Sequence, residues 1–202
     1  MKKKAIILLA GCGIFDGSDP FETVLVATAL EEKNFEVIYA SISGYQDTVT
    51  NHFKGNLEKG RRKIVNESAR LTRGKIFHLK ELSPKVFDCF VVPGGQGVLK
   101  NFFTDFLSLK SKPKREIALF LREVHKNKGV IVSFSLSFSL ISKIFFEYNF
   151  NLDLLSLQPG KYLVNPSERL IVAPGSILST NLSTLKIEAE NVVNEIVYLL
   201  NR

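Results

Sequence analysis

Two short stretches of this sequence hold residue types whose spacing allows chemistry. The first is Ser133-Phe134-Ser135-Leu136-Ser137. A nucleophile elbow needs small residues two before and two after its nucleophile, because strand and helix pass close together across the turn. Ser133 and Ser137 meet that rule around Ser135. The same alternation also reads as a strand with serines on one face, and both readings stand. A serine nucleophile needs a base in contact. The three histidines are His52, His78 and His125. None follows Ser135, so a serine, carboxylate, histidine order is not available. His125 closes a predicted helix ahead of a strand, which puts it at the opposite end of a parallel sheet. His52 either enters the site from a long polar excursion or is an exposed loop residue. Glu22 stands in the first turn of a predicted helix, either because the helix dipole favours a carboxylate there or as a partner for the elbow.

The second stretch is glycine-rich and comes in two parts. Gly11-Cys12-Gly13, with Asp16 close behind, ends the first apolar run, and Pro93-Gly94-Gly95-Gln96-Gly97 ends a later one. The latter is too short for a phosphate loop with its Lys and Ser/Thr or for GxGxxG. It is either an ordinary tight turn or a set of backbone donors for an oxyanion. Cys12 is either a small residue packed between glycines or a substitute thiol, if the strand ending at Ser135 lies beside the first strand. The dipole of the helix carrying Glu22 lowers its pKa and the glutamate raises it. Cys89, inside an apolar run, is expected to be inert.

The elements that must position these residues are legible as apolar runs. Lys4 to Ala10, Phe35 to Ala40, Phe87 to Val92 and Val130 to Phe134 read as strands, the first a continuous run typical of a parallel strand buried on both faces. Tyr162 to Val164 and Leu170 to Ala173 read as two short strands around a turn. Helices are predicted over Phe21 to Asn34, with Ser18 or Asp19 as cap and Pro20 in the first turn, and over Arg61 to Arg73. Further helices are predicted over Lys112 to Lys128 with Ile117, Leu119, Phe120, Leu121 and Val124 apolar, over Leu140 to Tyr148, and over Ser183 to Leu200 with Ile187, Val192, Val193, Ile196, Val197 and Leu200 inward. Strands alternating with helices make an α/β doubly wound sheet, in which ligands collect at the carboxyl ends of the strands.

Composition bounds the rest. A chain of 202 residues with 45% hydrophobic and 23% charged residues is globular rather than disordered, and a single domain over 1–202 is expected. Lys2 to Lys4 ahead of a six-residue apolar stretch superficially resembles a signal peptide, but Gly11-Cys12-Gly13 and Asp16 follow at once, so it reads as a charged start to a buried strand. No apolar run reaches the ~18 residues of a membrane span. Two cysteines make neither a disulfide framework nor a zinc site, which fits a reducing cytoplasm. No cofactor and no metal is expected. The net charge of +7 permits nucleic-acid contact. Even so, the basic stretches Arg61 to Lys63 and Lys110 to Lys128 have few interleaved aromatics and no nucleic-acid fold signature, so they read as solvated faces.

Five blocks together resemble a known family: LLAGCGIFDGSDPFETV (Leu8 to Val24), NHFKG (Asn51 to Gly55), NESARLTRGKI (Asn66 to Ile76), VVPGGQGVLKN (Val91 to Asn101) and LIVAPGSIL (Leu170 to Leu178). They are similar to the ElbB (enhancing lycopene biosynthesis) proteins and their mitochondrial glutamine-amidotransferase-like homologues, within the ThiJ/PfpI superfamily. The resemblance implies a flavodoxin-like three-layer α/β/α sandwich with a mostly parallel sheet, frequently as a homodimer. It implies a site made by a carboxylate at Glu22 and an elbow cysteine, whose position here is Ser135. Glyoxalase-like chemistry and a link to isoprenoid output come with the family. The serine departs from its pattern, and so does the shortened segment between Phe150 and Lys161. The expected reading is a degenerate member that binds an unknown small molecule, with Gly11, Cys12, Gly13, Asp16, His52, Gly94 and Gly95 as ligand-binding residues. The alternatives are an enzyme using Ser135 with Glu22, and a basic nucleic-acid-binding module.

Overall fold

The computed structural model describes residues 2–105, 107–108, 110–148 and 157–202. It contains a seven-stranded sheet built from β1 (Lys4–Leu9), β2 (Glu36–Ser41), β3 (Phe77–His78), β4 (Cys89–Val92), β5 (Val130–Phe134), β6 (Leu163–Asn165) and β7 (Leu170–Ala173). The order is β3-β2-β1-β4-β5-β7-β6. All pairings are parallel except β6 with β7. The expected flavodoxin-like α/β/α architecture is therefore what the chain adopts.

The apolar runs work as two-faced strands. Ala5, Ile7 and Leu9 of β1 pack with Val26 and Leu30 of α1 (Pro20–Glu32) and with Val192, Val193 and Ile196 of α6 (Leu182–Leu200). Ile6 and Leu8 face the other way, with Val98 and Phe102 of α3 (Gln96–Phe102), Ile117 and Leu121 of α4 (Arg115–Lys126) and Leu140 and Ile141 of α5 (Phe138–Ile144). Ile64 of α2 (Ile64–Leu71) joins this second layer. Period-2 burial on both faces is the physical reason the strands read as unbroken apolar runs.

Helix boundaries follow local chemistry. Asp19 caps α1, accepting the N–H of Phe21 at 2.8 Å and of Glu22 at 3.4 Å, and Pro20 occupies its first turn. α2 and α4 are shorter than the sequence suggests. α2 stops before Gly74, whose positive φ (+80°) lets its N–H return to the Ala69 carbonyl. α4 starts only at Arg115, just past Pro113. Leu119 and Ile187, expected inward, are 56% and 53% exposed, because each lies on the rim of its helix stripe. The Leu140–Tyr148 helix divides into α5 and a single 3₁₀ turn over Phe146–Tyr148. β3 and α3 were not expected from sequence. Each is too short to carry a period, and α3 begins within a glycine-rich stretch that reads only as a turn. The shortened segment lies outside the described residues over 150–156.

Candidate functional site

Ser135 directly follows β5 and takes φ +53°, a left-handed backbone that side-chain-bearing residues avoid. Ser137 Oγ donates to the carbonyls of Val92 and Phe134, each at 2.7 Å, and so ties the turn to β4. Ser135 is therefore at a strand-to-helix elbow, and only Ser133 sits in the strand. The Ser133 hydroxyl is buried with no hydrogen-bond partner among the described residues.

The elbow faces Glu22. Gly94 and Gly175 make the close approach possible. A methyl group on Gly94 would overlap the Ser135 side chain and stand 2.8 Å from Glu22 Oε2, and one on Gly175 would overlap Glu22 Oε1. Glu22 is 3% exposed. Its Oε2 accepts the Gly94 N–H at 2.6 Å and its Oε1 the Ser176 N–H at 2.8 Å. Burial first, then the neighbouring Asp19 charge, pushes its pKa up to about 7, against the two backbone bonds and the Ser176 hydroxyl that pull it down. Ser135 Oγ has the Ser176 hydroxyl as its partner, at a long 3.4 Å. Three amides of the PGGQG turn are committed internally: Gly94 to Glu22, Gln96 to the Ile14 carbonyl at 2.8 Å and Gly97 to the Gly17 carbonyl at 3.0 Å. Those donors are not available to an oxyanion.

The GCG loop is braced rather than open. Gly11 donates to Ser68 Oγ at 2.9 Å. Asp16, 1% exposed, accepts the Thr50 N–H at 2.6 Å, while its Oδ1 has no hydrogen-bond partner and lies 3.8 Å from His52 Nε2. Gly95 packs its Cα against the Gly17–Asp19 backbone. Of the expected ligand-binding residues, Cys12, Gly13 and His52 line cavities, whereas Gly11, Asp16 and Gly95 line neither cavity beside the loop. Cys12 faces a cavity of about 490 Å³. Its pKa is raised, chiefly by burial, with Arg70 opposing and Glu67 and Asp16 adding to the rise. Burial, and not Glu22, is the chief cause of the rise. Cys89 is buried in β4 and pushed far higher by the same cause. The expectation that Ser135's strand adjoins the first one is corrected: β4 lies between β1 and β5, so the Gly94 turn separates Cys12 from the elbow. His125 lies at the amino ends of the strands, with Nε2 2.9 Å from the Glu168 carbonyl, away from the site as expected.

Sequence reasoning missed three parts of this region. Ser176 bridges Glu22 and Ser135. Glu188 of α6, 1% exposed, accepts the Gly175 N–H at 2.7 Å and the Gly160 N–H at 3.2 Å, and burial pushes its pKa up to about 7. Asn101 donates to the Ala10 and Asp16 carbonyls and accepts the Asp47 N–H, all within 2.8–2.9 Å. Asn101, Gly175 and Ser176 fall inside quoted motif blocks, so a signal existed. Glu188 sits in an ordinary amphipathic helix and gives none. No group of three or more His, Cys, Asp or Glu side chains is placed to hold a metal among the described residues.

The mostly parallel sheet with helices on both faces is a fold shared with a solved ThiJ/PfpI domain protein of Brachyspira murdochii, at a TM-score of 0.55 and 10% identity over 100% of this chain and 98% of that one. No protein-family model matches the chain. The chain is 34% identical over 132 residues to a mitochondrial ES1 protein homologue of Rattus norvegicus, covering 64% of this chain and 50% of that protein. It is also 34% identical over 125 residues to the human mitochondrial glutamine amidotransferase-like class 1 domain-containing protein 3, covering 61% and 47%. The chain thus spans about half the length of the curated relatives it matches. An Ehrlichia chaffeensis crystal structure, described as an isoprenoid biosynthesis protein with an amidotransferase-like domain, superposes with a TM-score of 0.88 at 23% identity, over 96% of this chain and 99% of that one. The similarity to mitochondrial ES1 and glutamine amidotransferase-like proteins agrees with the resemblance drawn from the motifs. Among the described residues no helix is long and apolar enough to cross a membrane.

Proposed function

We propose that this protein is a degenerate ElbB-like member that binds a small molecule and has lost covalent thiol chemistry at its elbow. One observation carries the reading. Ser135 makes no hydrogen bond to a base among the described residues: its hydroxyl's partner is Ser176, while the Glu22 oxygens accept the Gly94 and Ser176 N–H groups. A serine hydroxyl needs such a base to act as a nucleophile, and no other thiol adjoins the elbow. Two unpaired cysteines support a reducing compartment, the cytoplasm, as its setting. The test is consumption of methylglyoxal by purified protein. Background turnover is expected, unchanged in Ser135→Ala, with a gain in Ser135→Cys if the rest of the site is intact. Robust turnover lost in Ser135→Ala would overturn the reading.

A second reading is favoured by a specific feature, the carboxyl of Glu22 held near neutrality beside a strained elbow. A general base is most useful with a pKa near the working pH. In that case Ser135 is the nucleophile of a glyoxalase-like or hydrolytic enzyme and Glu22 its base. Activity would then fall in both Ser135→Ala and Glu22→Gln and would rise through pH 7.

A further inference from the structure

The motifs that carry the resemblance converge on a place the elbow does not use. Cys12 and Gly13 of the first block, Asn51 and His52 of the second, and Glu67 and Arg70 of the third line the cavity of about 490 Å³ beside the first strand end. A second cavity of about 270 Å³, bounded by Ile14, Phe21, Leu185 and Ser176, is almost wholly apolar. Gly13, Pro20 and His52 belong to the walls of both, so the two adjoin.

The junction is fixed in place. His52 Nδ1 lies 3.2 Å from the Thr50 carbonyl, which can only accept, so Nδ1 carries the proton. Nε2 then accepts the Phe15 N–H at 3.4 Å. Gly13 must lack a side chain, because a Cβ there would overlap the imidazole.

The larger cavity offers donors. Glu67 is held by both guanidiniums, at 3.2 Å from Arg70 and 3.9 Å from Arg62. Glu58 is held by Arg62 at 3.6 Å and by the Asn51 amide at 2.7 Å. Both carboxylates are therefore paired. A guanidinium has five N–H donors in a planar fork, and Arg70 engages Glu67 through Nη1 while its side chain is 67% exposed. The donors that Arg70 leaves free are charged and set in a planar fork, the geometry that a carboxylate or phosphate group matches best. The apolar cavity next to it selects a hydrocarbon.

We propose that the two cavities form one site for a small amphipathic organic anion, with its carboxylate or phosphate head at Arg70 and Arg62 and its apolar tail against Ile14, Phe21 and Leu185. This deepens the small-molecule-binding reading and rests on it only for the presence of a ligand; Ser135 lines neither cavity.

The experiment is calorimetric titration of the full chain with sodium hexanoate and with hexyl phosphate. It is paired with the rate at which iodoacetamide labels Cys12, read by peptide mass mapping. Acetate and inorganic phosphate are the head-only controls, hexanol the tail-only control and hexylamine the control of opposite charge. At least one of the two anions is expected to bind and to slow Cys12 labelling at concentrations where every control is silent, and the tighter of the two identifies the head. Arg70→Gln and Phe21→Ser, both exposed positions, should each weaken binding about tenfold. Ser135→Ala should leave it unchanged. Absence of heat and protection with both anions, equal binding of hexylamine, or indifference to Arg70→Gln overturns the proposal. Turnover of methylglyoxal alongside intact anion binding would sink only the non-catalytic reading, and background turnover without anion binding would sink only this one.

Discussion

At the scale of the residue, Ser135 holds a backbone that its side chain opposes. The φ of +53° costs an L-residue roughly 1–2 kcal/mol relative to glycine, and the contacts of the turn offset it. The Ser137 hydroxyl, bonded to two carbonyls, leaves the chain little alternative. Ser135→Gly is therefore expected to stabilise the protein by about 0.5–1 kcal/mol in urea unfolding, after allowing for the greater chain entropy of glycine in the unfolded state. An unchanged or lower midpoint would show that the serine's own contacts outweigh the backbone strain. Gly94 is the converse case. A methyl group there has no space between Ser135 and Glu22, so Gly94→Ala should cost about 1–3 kcal/mol and lower the thermal midpoint.

At the scale of the element, the turn over Gly175–Ile177 after β7 is held from two sides. Glu22 of α1 takes the Ser176 N–H and Glu188 of α6 takes the Gly175 N–H. Both carboxylates are buried, and both pKa values are raised from an ordinary 4.5 to about 7. A carboxyl whose pKa is higher folded than unfolded binds more protons in the native state between those two values. Its contribution to stability is then complete below about pH 4.5 and is lost as pH rises through about 7. For fully buried Glu22 the share is about 3 kcal/mol, from 1.36 kcal/mol per unit. Unfolding free energy should fall from pH 5 to pH 8 in the unmodified chain. Glu22→Gln should show a visibly shallower fall whatever its absolute stability. Parallel profiles for the two proteins would mean that Glu22 titrates normally.

Burial within the elements decides the fate of the thiols. Cys12 is half-buried with a raised pKa, and Cys89 is buried within β4. Iodoacetamide at neutral pH should label Cys12 slowly and Cys89 not at all in the folded protein, with both modified once it is unfolded. Rapid labelling of Cys12 would mean that Arg70 outweighs burial and would restore it as a substitute thiol.

At the scale of the whole molecule, the net charge is +7, and some of its cations are already engaged by carboxylates. Arg62 and Arg70 are engaged with Glu58 and Glu67, and Arg122 pairs with Glu147 at 2.7 Å. Nucleic-acid affinity depends on several cations meeting backbone phosphates at once and falls steeply with salt. No gel-shift complex is expected at physiological salt. Tight, salt-sensitive binding lost on neutralising Lys112, Lys114 and Arg115 together would reverse the ranking of functions.

The sequence by itself determined the sheet and its layers, because burial on both faces of a parallel strand writes an unbroken apolar run and helix caps write Asp19-Pro20 and Gly74. That Glu22 and position 135 stand together was implied by the family resemblance, and the close approach of Gly94 and Gly175 to both side chains agrees with it. Tertiary structure alone decided the strand order that puts β4 between Cys12 and Ser135, the occupation of Glu22 by two backbone donors, and the grip of Glu188 on the neighbouring turn. It alone brought three separated motifs around one pair of cavities. Each of these depends on contacts between segments far apart in the chain, and local periodicity and capping carry no record of which segments meet.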